Sequence, residues 1–539
     1  MKTLLPTLLI LISLTFTSRA QLTIEYLDVN NVKAAILTHG DMFWNPSTGS
    51  ASYQFPQGSG LNSNFASSLW VGGYDTSGNL HISAQTYRQS GNDYWPGPLD
   101  NSGSLSLATS NDWDKIWKVD KSTIDAFNAT TPHTLVNTPA VILEWPAIGN
   151  VHAKGKGGAA LSITKDMAPF SDVNSDGIYN ALDGDYPIIK GEQALWWVFS
   201  DNGPTHDETD GLPLKIEIQA MAFACNSVQS LQNTTFYSFS IKNFGNQDYI
   251  NTTLGIWNDM DLGYGFDDYV GVDTLRRMAI GYNGDNDDNG KYGSQLTQTG
   301  CIILRSPLDS AGYQQPLGSF MSYENAQNAP AGNPDTTIHY LYYLTAKWLD
   351  SSILTTACHP PGPGALTHFM FYSDPSDPLG WSEKTCNNIP GDRRSVLGIS
   401  PNTMHSLQEM KLEFAIINTP LGSNNGNFQA LQALADSAKY YSNGCAQPSM
   451  PTSVNELITE NQFSIHPNPS SENITISWNE SMKDKVVSVT LINTMGETLQ
   501  TSFSPKEDAR FNVQSLPDGV YFVKINTGHR SVTKRFVKN

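Results

Sequence analysis

Asp172, Asn174 and Asp176 stand two residues apart in the stretch "DVNSDGIYNALD" (172–183), and Gly177 follows them. Counted as a twelve-residue loop, these four occupy positions 1, 3, 5 and 6. Ile178 falls at position 7 and Asp183 at position 12. Hard oxygen donors at that spacing wrap one face of a turn around a cation. The glycine permits the sharp turn, and the position-7 carbonyl faces inward. This is the ligand spacing of an EF-hand-type calcium loop, with Asp replacing the usual terminal Glu. Asn174 supplies a neutral oxygen, which limits carboxylate repulsion, and Asp185 could add a further donor. The expected ligands are therefore Asp172, Asn174, Asp176, the carbonyl of Ile178, and Asp183, around a structural Ca2+. Clear flanking helices are absent, so the expectation is a bare loop and not a paired sensor. The same composition also makes a solvated Asx-rich turn.

Other chemistry-bearing residues form looser groups. "NDMDLGYGFDDYVGVD" (258–273) offers Asp259, Asp261, Asp267, Asp268 and Asp273, and "GDNDDNG" (284–290) offers Asp285, Asp287 and Asn289. Neither completes a known ligand pattern; each is a second ion site or a charged loop. "THDETDG" (205–211) sets His206 beside Asp207, Glu208 and Asp210, either as an acid–base or metal cluster or as a polar turn. No G-x-S-x-G, H-E-x-x-H or G-x-x-x-x-G-K-[ST] occurs, so no catalytic residue is assigned. Paired carboxylates for glycoside hydrolysis carry little weight, because so acidic a chain always supplies some pair. Trp44, Trp70, Trp95, Trp196 and Trp197 lie in sheet or Gly-rich loop contexts. Exposed, they would stack on sugar rings; buried, they are core.

The elements that must position these residues read as strands. "LKIEIQAMAFA" (214–224), "TTFYSFSIKNFG" (234–245) and "YINTTLGIWND" (249–259) follow one another closely, separated by Asn/Gly-rich turns. Earlier candidates are 32–40, 67–75 and 140–148; later ones are 300–306, 367–373 and 410–418. Period-two alternation, with 43 Gly and 30 Pro marking turns, predicts a mainly β chain with a large β-sandwich-like body at 21–445, of one domain or two. "NFQALQALADSAKYYSNG" instead predicts a helix with Phe428, Leu431, Leu434 or Ala435, Ala438 and Tyr441 on one face, closing the body. Residues 446–460 read as a linker.

Residues 461–539 change pattern. Ile474, Ile476 and Trp478 share one strand face; Tyr521, Val523 and Ile525 alternate with Val520, Phe522 and Lys524. Four or five short strands predict a small Ig-like β-sandwich. This tail, through "HPNPSSENITI" (466–476), "TLINTMGETLQ" (490–500), "SLPDGVYFVKI" (515–525) and the basic end "TKRFVKN" (533–539), resembles the type A C-terminal sorting domain of type IX secretion cargo in Bacteroidota. Phe463 and His466 depart mildly from the aromatic usually found just before Pro-Asn-Pro. The resemblance implies passage through the outer-membrane translocon and its sorting machinery, followed by release or attachment to surface lipopolysaccharide. The body is similar to uncharacterised secreted proteins of the same group, which brings no activity with it.

The remaining sequence agrees with an extracellular destination. Lys2, an apolar run at 4–16, and Ser18 and Ala20 before Gln21 read as a secretory signal peptide over 1–20. That run is too short to span a bilayer, and no transmembrane segment is expected. The net charge of −19 has its source in the body, since the leader carries Lys2 and Arg19 without acids and the tail nine Lys and Arg against seven Asp and Glu. Such a body repels nucleic acid and attracts cations. Five widely spaced cysteines without a C-x-x-C pair give no support to a zinc ribbon; Cys358 and Cys386 are the first expected pair, and the odd count leaves at least one thiol without an intramolecular partner. The expected function is that of a secreted, surface-displayed, calcium-stabilised β protein with a structural, adhesive or ligand-binding role toward a glycan or protein. The alternative is a secreted hydrolase acting on glycans.

Overall fold

The computed structural model describes residues 23–87, 91–326, 330–359, 362–423, 427–445, 463–478, 488–493, 498–503, 508–526 and 531–539. The 1–20 leader and the 446–460 linker lie outside them. The chain divides into two compact units, 1–448 and 449–539.

The body is one unit, built on two large antiparallel sheets. One runs Leu317–Glu324, Arg393–Ile399, Tyr249–Asp259, Ala66–Tyr74, Asp41–Met42, Lys33–Leu37, Tyr53–Gln54, Asn62–Asn64. The other runs Trp95–Pro96, Gln193–Ser200, Ile216–Ala224, Thr234–Asn243, Glu409–Asn418, Gln298–Arg305, Met278–Asn283, Asp268–Asp273. Side chains from both sheets, among them Trp197, Phe239 and Phe414 from one and Leu69, Val71 and Ile256 from the other, share a single core. That is the sandwich expected from the alternation.

The second sheet is covered on its other face too. Trp196, Met221, Phe223 and Phe236 pack there with Trp113, Trp117, Trp145 and Leu431. This third layer explains why Gln193–Ser200 is buried at every position and reads as a continuous apolar run. The Gln429–Tyr440 helix forms as predicted and buries Leu431, Ala435 and Ala438 in this layer.

Three local expectations change. Thr234–Asn243 and Tyr249–Asp259, adjacent in sequence, belong to different sheets. Segment 140–148 begins with a helical turn, Ala140–Leu143, bounded by Pro139 and ended before Pro146; a short apolar run does not distinguish helix from strand, and the prolines decide here. Segment 367–373 makes only an isolated bridge from Phe369 to Phe320. Phe371 has φ 49°, which breaks the extended path.

The tail unit is a small two-sheet sandwich. Phe463–His466, Asn473–Trp478 and Ala509–Asn512 form one sheet; Thr498–Phe503, Ser488–Ile492, Gly519–Asn526 and Ser531–Lys538 form the other. Ile474, Ile476, Val489, Leu491, Phe511, Val513, Val523 and Phe536 are its core.

Candidate functional site

In the 172–183 loop, Ser175 and Gly177 both take positive φ, 62° and 78°, coiling the chain twice within three residues. The Asp172 carboxylate accepts the N–H groups of Asp176 at 3.2 Å and Gly177 at 2.8 Å. Asn174 Oδ1 accepts the Asp176 N–H at 3.2 Å, and Asp176 Oδ1 accepts that of Ile178 at 2.8 Å. Asn174 Nδ2 donates to Asp176 Oδ2. Asp172, Asn174 and Asp176 thus gather on one turn. Asp183 is exposed and accepts from Asn180 Nδ2 at 2.7 Å. Asp185 has a different role from the further donor expected. It is fully buried, and its two oxygens accept the N–H groups of Val173 and Asn180, stapling the loop's ends together.

His206 keeps little company with its sequence neighbours Asp207 and Asp210, which are exposed. Its Nε2 lies 3.1 Å from Ser83 Oγ, and its Nδ1 lies 3.3 Å from Asp93 Oδ1. This has the order of a serine–histidine–aspartate relay, but Ser83 is fully buried and its hydroxyl donates to Asp201 Oδ2 at 2.7 Å. A nucleophile needs an open approach, so the arrangement is a polar core. Asp201 accepts the Leu214 and Ile216 N–H groups; Asp93 accepts those of Ala84 and Glu208 and the Thr209 hydroxyl. Burial raises the carboxyls of both aspartates, with His206 opposing the shift. Glu208 is buried as well, held by Thr86 and the Gly91 N–H. Burial, then repulsion from Asp93 and Asp41, pushes its carboxyl up to about 7. Ser83 and Asp93 were invisible to motif reading because they lie more than a hundred residues before 205–211 in the chain, and Asp201, just before that stretch, belongs to no recognisable motif with it.

The acidic runs 258–273 and 284–290 fold into one hub. Asp288 accepts the N–H groups of Tyr264 and Tyr292 at 2.8 and 2.7 Å; Asp268 accepts that of Leu262 at 2.9 Å. Asp267 accepts from Asn283 and Asn289. Asp285 and Asp287 are exposed. Asp259 and Asp261 meet a partner that sequence reading missed, Asp392: an oxygen from each of the three lies within 4.8 Å of the others. Among the described His, Cys, Asp and Glu residues, this is the group of three drawn so close. Burial first, then mutual repulsion, raises the Asp259 carboxyl; burial and Asp392 push that of Asp261 up to about 7.

The tryptophans are chiefly core. Trp44, Trp70, Trp196 and Trp197 are buried, and Trp70 stacks on Trp257 with centroids 6.2 Å apart. Trp95 is half-buried and donates to the Thr205 carbonyl. A cavity of about 280 Å³ is lined by Tyr323, Trp348, His359, Glu383 and Arg393. Inside it, Glu383 is held by the Arg393 guanidinium at 3.2 Å and accepts the Val270 N–H. Cys358 and Cys386 are bonded as expected, Cys225 is joined to Cys445, and Cys301 is the buried free thiol.

The chain is thus a large β-rich body and a separate small terminal sandwich. Residues 464–539 match the secretion system C-terminal sorting domain, and the chain is a cargo of the type IX secretion system, placed on the cell surface or outside the cell. Among the described residues, no helix is long and apolar enough to cross a membrane. No curated protein matches the chain. Among solved structures, a polysaccharide lyase is similar at 9% identity and a TM-score of 0.21, over 60% of this chain and 34% of that one. The chain thus spans about a third of that protein's length.

Proposed function

We propose that the body is a calcium-stabilised display protein, carried to the surface by its tail, with a structural, adhesive or ligand-binding role and no turnover. The observation that supports it most is the 172–183 loop. Asp172, Asn174 and Asp176, at the sequence spacing of an EF-hand-type loop, lie on one coiled turn, while Asp185 holds the loop's ends. Export begins with the 1–20 leader at the inner membrane and ends with the tail at the outer-membrane translocon, followed by release or lipopolysaccharide attachment. The glycan-hydrolase reading gains nothing from the acids described above. Those around His206 are held by main-chain donors, and Glu383 is held by Arg393.

The test is a melting experiment on the full chain. A ligand that binds only the folded state at a hundred times its Kd stabilises by about 2.7 kcal/mol. Calcium should raise the melting temperature of the body above that in chelator, and Asp176→Ala should remove most of that difference. Superimposed melting curves with calcium and with chelator would leave 172–183 an ordinary polar turn. Hydrolysis of a glycan, ester or peptide that is lost on one carboxylate-to-amide change in the body would favour the hydrolase.

A further inference from the structure

Asp259, Asp261 and Asp392 meet where three pieces of chain come together: the end of the Tyr249–Asp259 strand, the turn after it, and the residue before the Arg393–Ile399 strand. Asp259 is 1% exposed. Arg394 reaches Oδ2 of Asp259 at 3.5 Å and Oδ2 of Asp392 at 3.6 Å. The Oδ1 atoms of all three aspartates are sealed from solvent and have no hydrogen-bond partner. When all three are ionised, as ion binding requires, three carboxylates stand against one guanidinium and leave an excess of two negative charges. Burying unpaired carboxylate oxygens is costly, and crowding like charges adds to the cost. A divalent cation held among the three carboxylates cancels that excess.

The donor set is all carboxylate oxygen, which suits hard ions such as Ca2+, Mg2+ and Mn2+. The backbone makes room for it. A Cβ at Gly265 would stand 2.5 Å from Asp261 Oδ1, so the missing side chain is what lets Asp261 lie against the turn. We propose that Asp259, Asp261 and Asp392 hold a hard divalent cation, at a site separate from the 172–183 loop, which ties the 260–267 turn to the start of the Arg393–Ile399 strand. That turn displays Tyr264 and Phe266, 40% and 66% exposed with ring centroids 5.6 Å apart. The ion would therefore hold this exposed aromatic pair in place on the surface.

The test uses the full chain carrying Asp176→Ala, so that the loop site does not contribute. After chelation and dialysis it is titrated calorimetrically with CaCl2, MgCl2 and MnCl2 in turn. Saturable uptake of at least one is expected, weakened by about tenfold or more when Asp392→Asn is added. Asp392 is 19% exposed at its side chain, so the amide should fold; circular dichroism checks this, and Gly265→Ala, which crowds Asp261, serves as the second variant. Bound ion should also slow protease cutting within 260–267. Failure of the loop site alone would show as an Asp176→Ala protein that titrates like wild type, leaving this site intact. No uptake of any of the three ions overturns the proposal, as does uptake unaffected by both Asp392→Asn and Gly265→Ala. Stabilisation by Asp392→Asn that is equal with and without ion would mean that the aspartates share a proton, and would overturn it too.

Discussion

Asp93, Asp185, Asp201 and Asp288 are all buried, and each accepts two or more main-chain N–H groups. A carboxylate so placed satisfies loop backbone that would otherwise be buried without partners. Glu208, buried beside Asp93 and held by one main-chain N–H and the Thr86 hydroxyl, titrates near neutrality: its carboxyl is raised to about 7 from an ordinary 4.5. Between those values the folded state holds a proton that the unfolded chain has lost. Stability therefore falls as pH rises from about 4.5 to about 7 and is level above that, by at most on the order of 3 kcal/mol from this residue. Asp93 and Asp201 shift in the same direction, so the diagnostic is a difference. Denaturant unfolding at pH 5 and pH 7 should show a smaller loss for Glu208→Gln than for wild type. Equal losses would assign the dependence to the other buried acids.

At the scale of elements, the Gln429–Tyr440 helix closes the third layer. Leu431 is fully buried among Met278, Ile302 and Ile417, whereas Tyr440 is 52% exposed. Leu431→Ala should cost about 2–5 kcal/mol in chemical unfolding, and Tyr440→Ala within about 0.5 kcal/mol. Cys445, just beyond this helix, is bonded to Cys225 across 220 residues. Closing so long a loop restricts the unfolded chain and stabilises by up to about 5 kcal/mol. Replacing both cysteines with serine should lower the melting temperature of the body and expose the helix to protease, while the tail keeps its own transition. An unchanged transition would mean that packing alone holds the helix. On the other sheet, Gly255 allows the Thr337–Leu344 helix to approach: a Cβ there would stand 2.6 Å from Leu344 Cδ2.

For the whole molecule, address and cargo are separate units. Among the described residues, those of the tail form a core of their own, from Phe463 to Phe536. Removing 461–539 should leave the body folded, with an unaltered melting transition, but retained in the periplasm of a type IX-competent host. Fractionation followed by immunoblotting checks the location, and calorimetry checks the fold. Truncated protein on the surface or in the medium would contradict the role of the tail. Placement outside the cell also suits two disulfides and an acidic, cation-attracting body.

What was legible in the sequence was local. Short strand-like runs between turn residues marked Ile216–Ala224, Thr234–Asn243 and Glu409–Asn418 as strands, and the 3.6 period marked the Gln429–Tyr440 helix, because each signal lies within its own segment. The aspartate spacing in 172–183 and the ordered motifs of 464–539 are likewise short-range signals. The tertiary structure alone decided partnerships across distance. It put Thr234–Asn243 and Tyr249–Asp259 in different sheets, brought Ser83 and Asp93 to His206, joined Cys225 to Cys445, and set Asp392 against Asp259 and Asp261. A residue's type and spacing constrain the backbone within a few positions of it. Which distant segment comes to lie beside it depends on how two sheets and a covering layer share their cores, and that is a property of the whole packing.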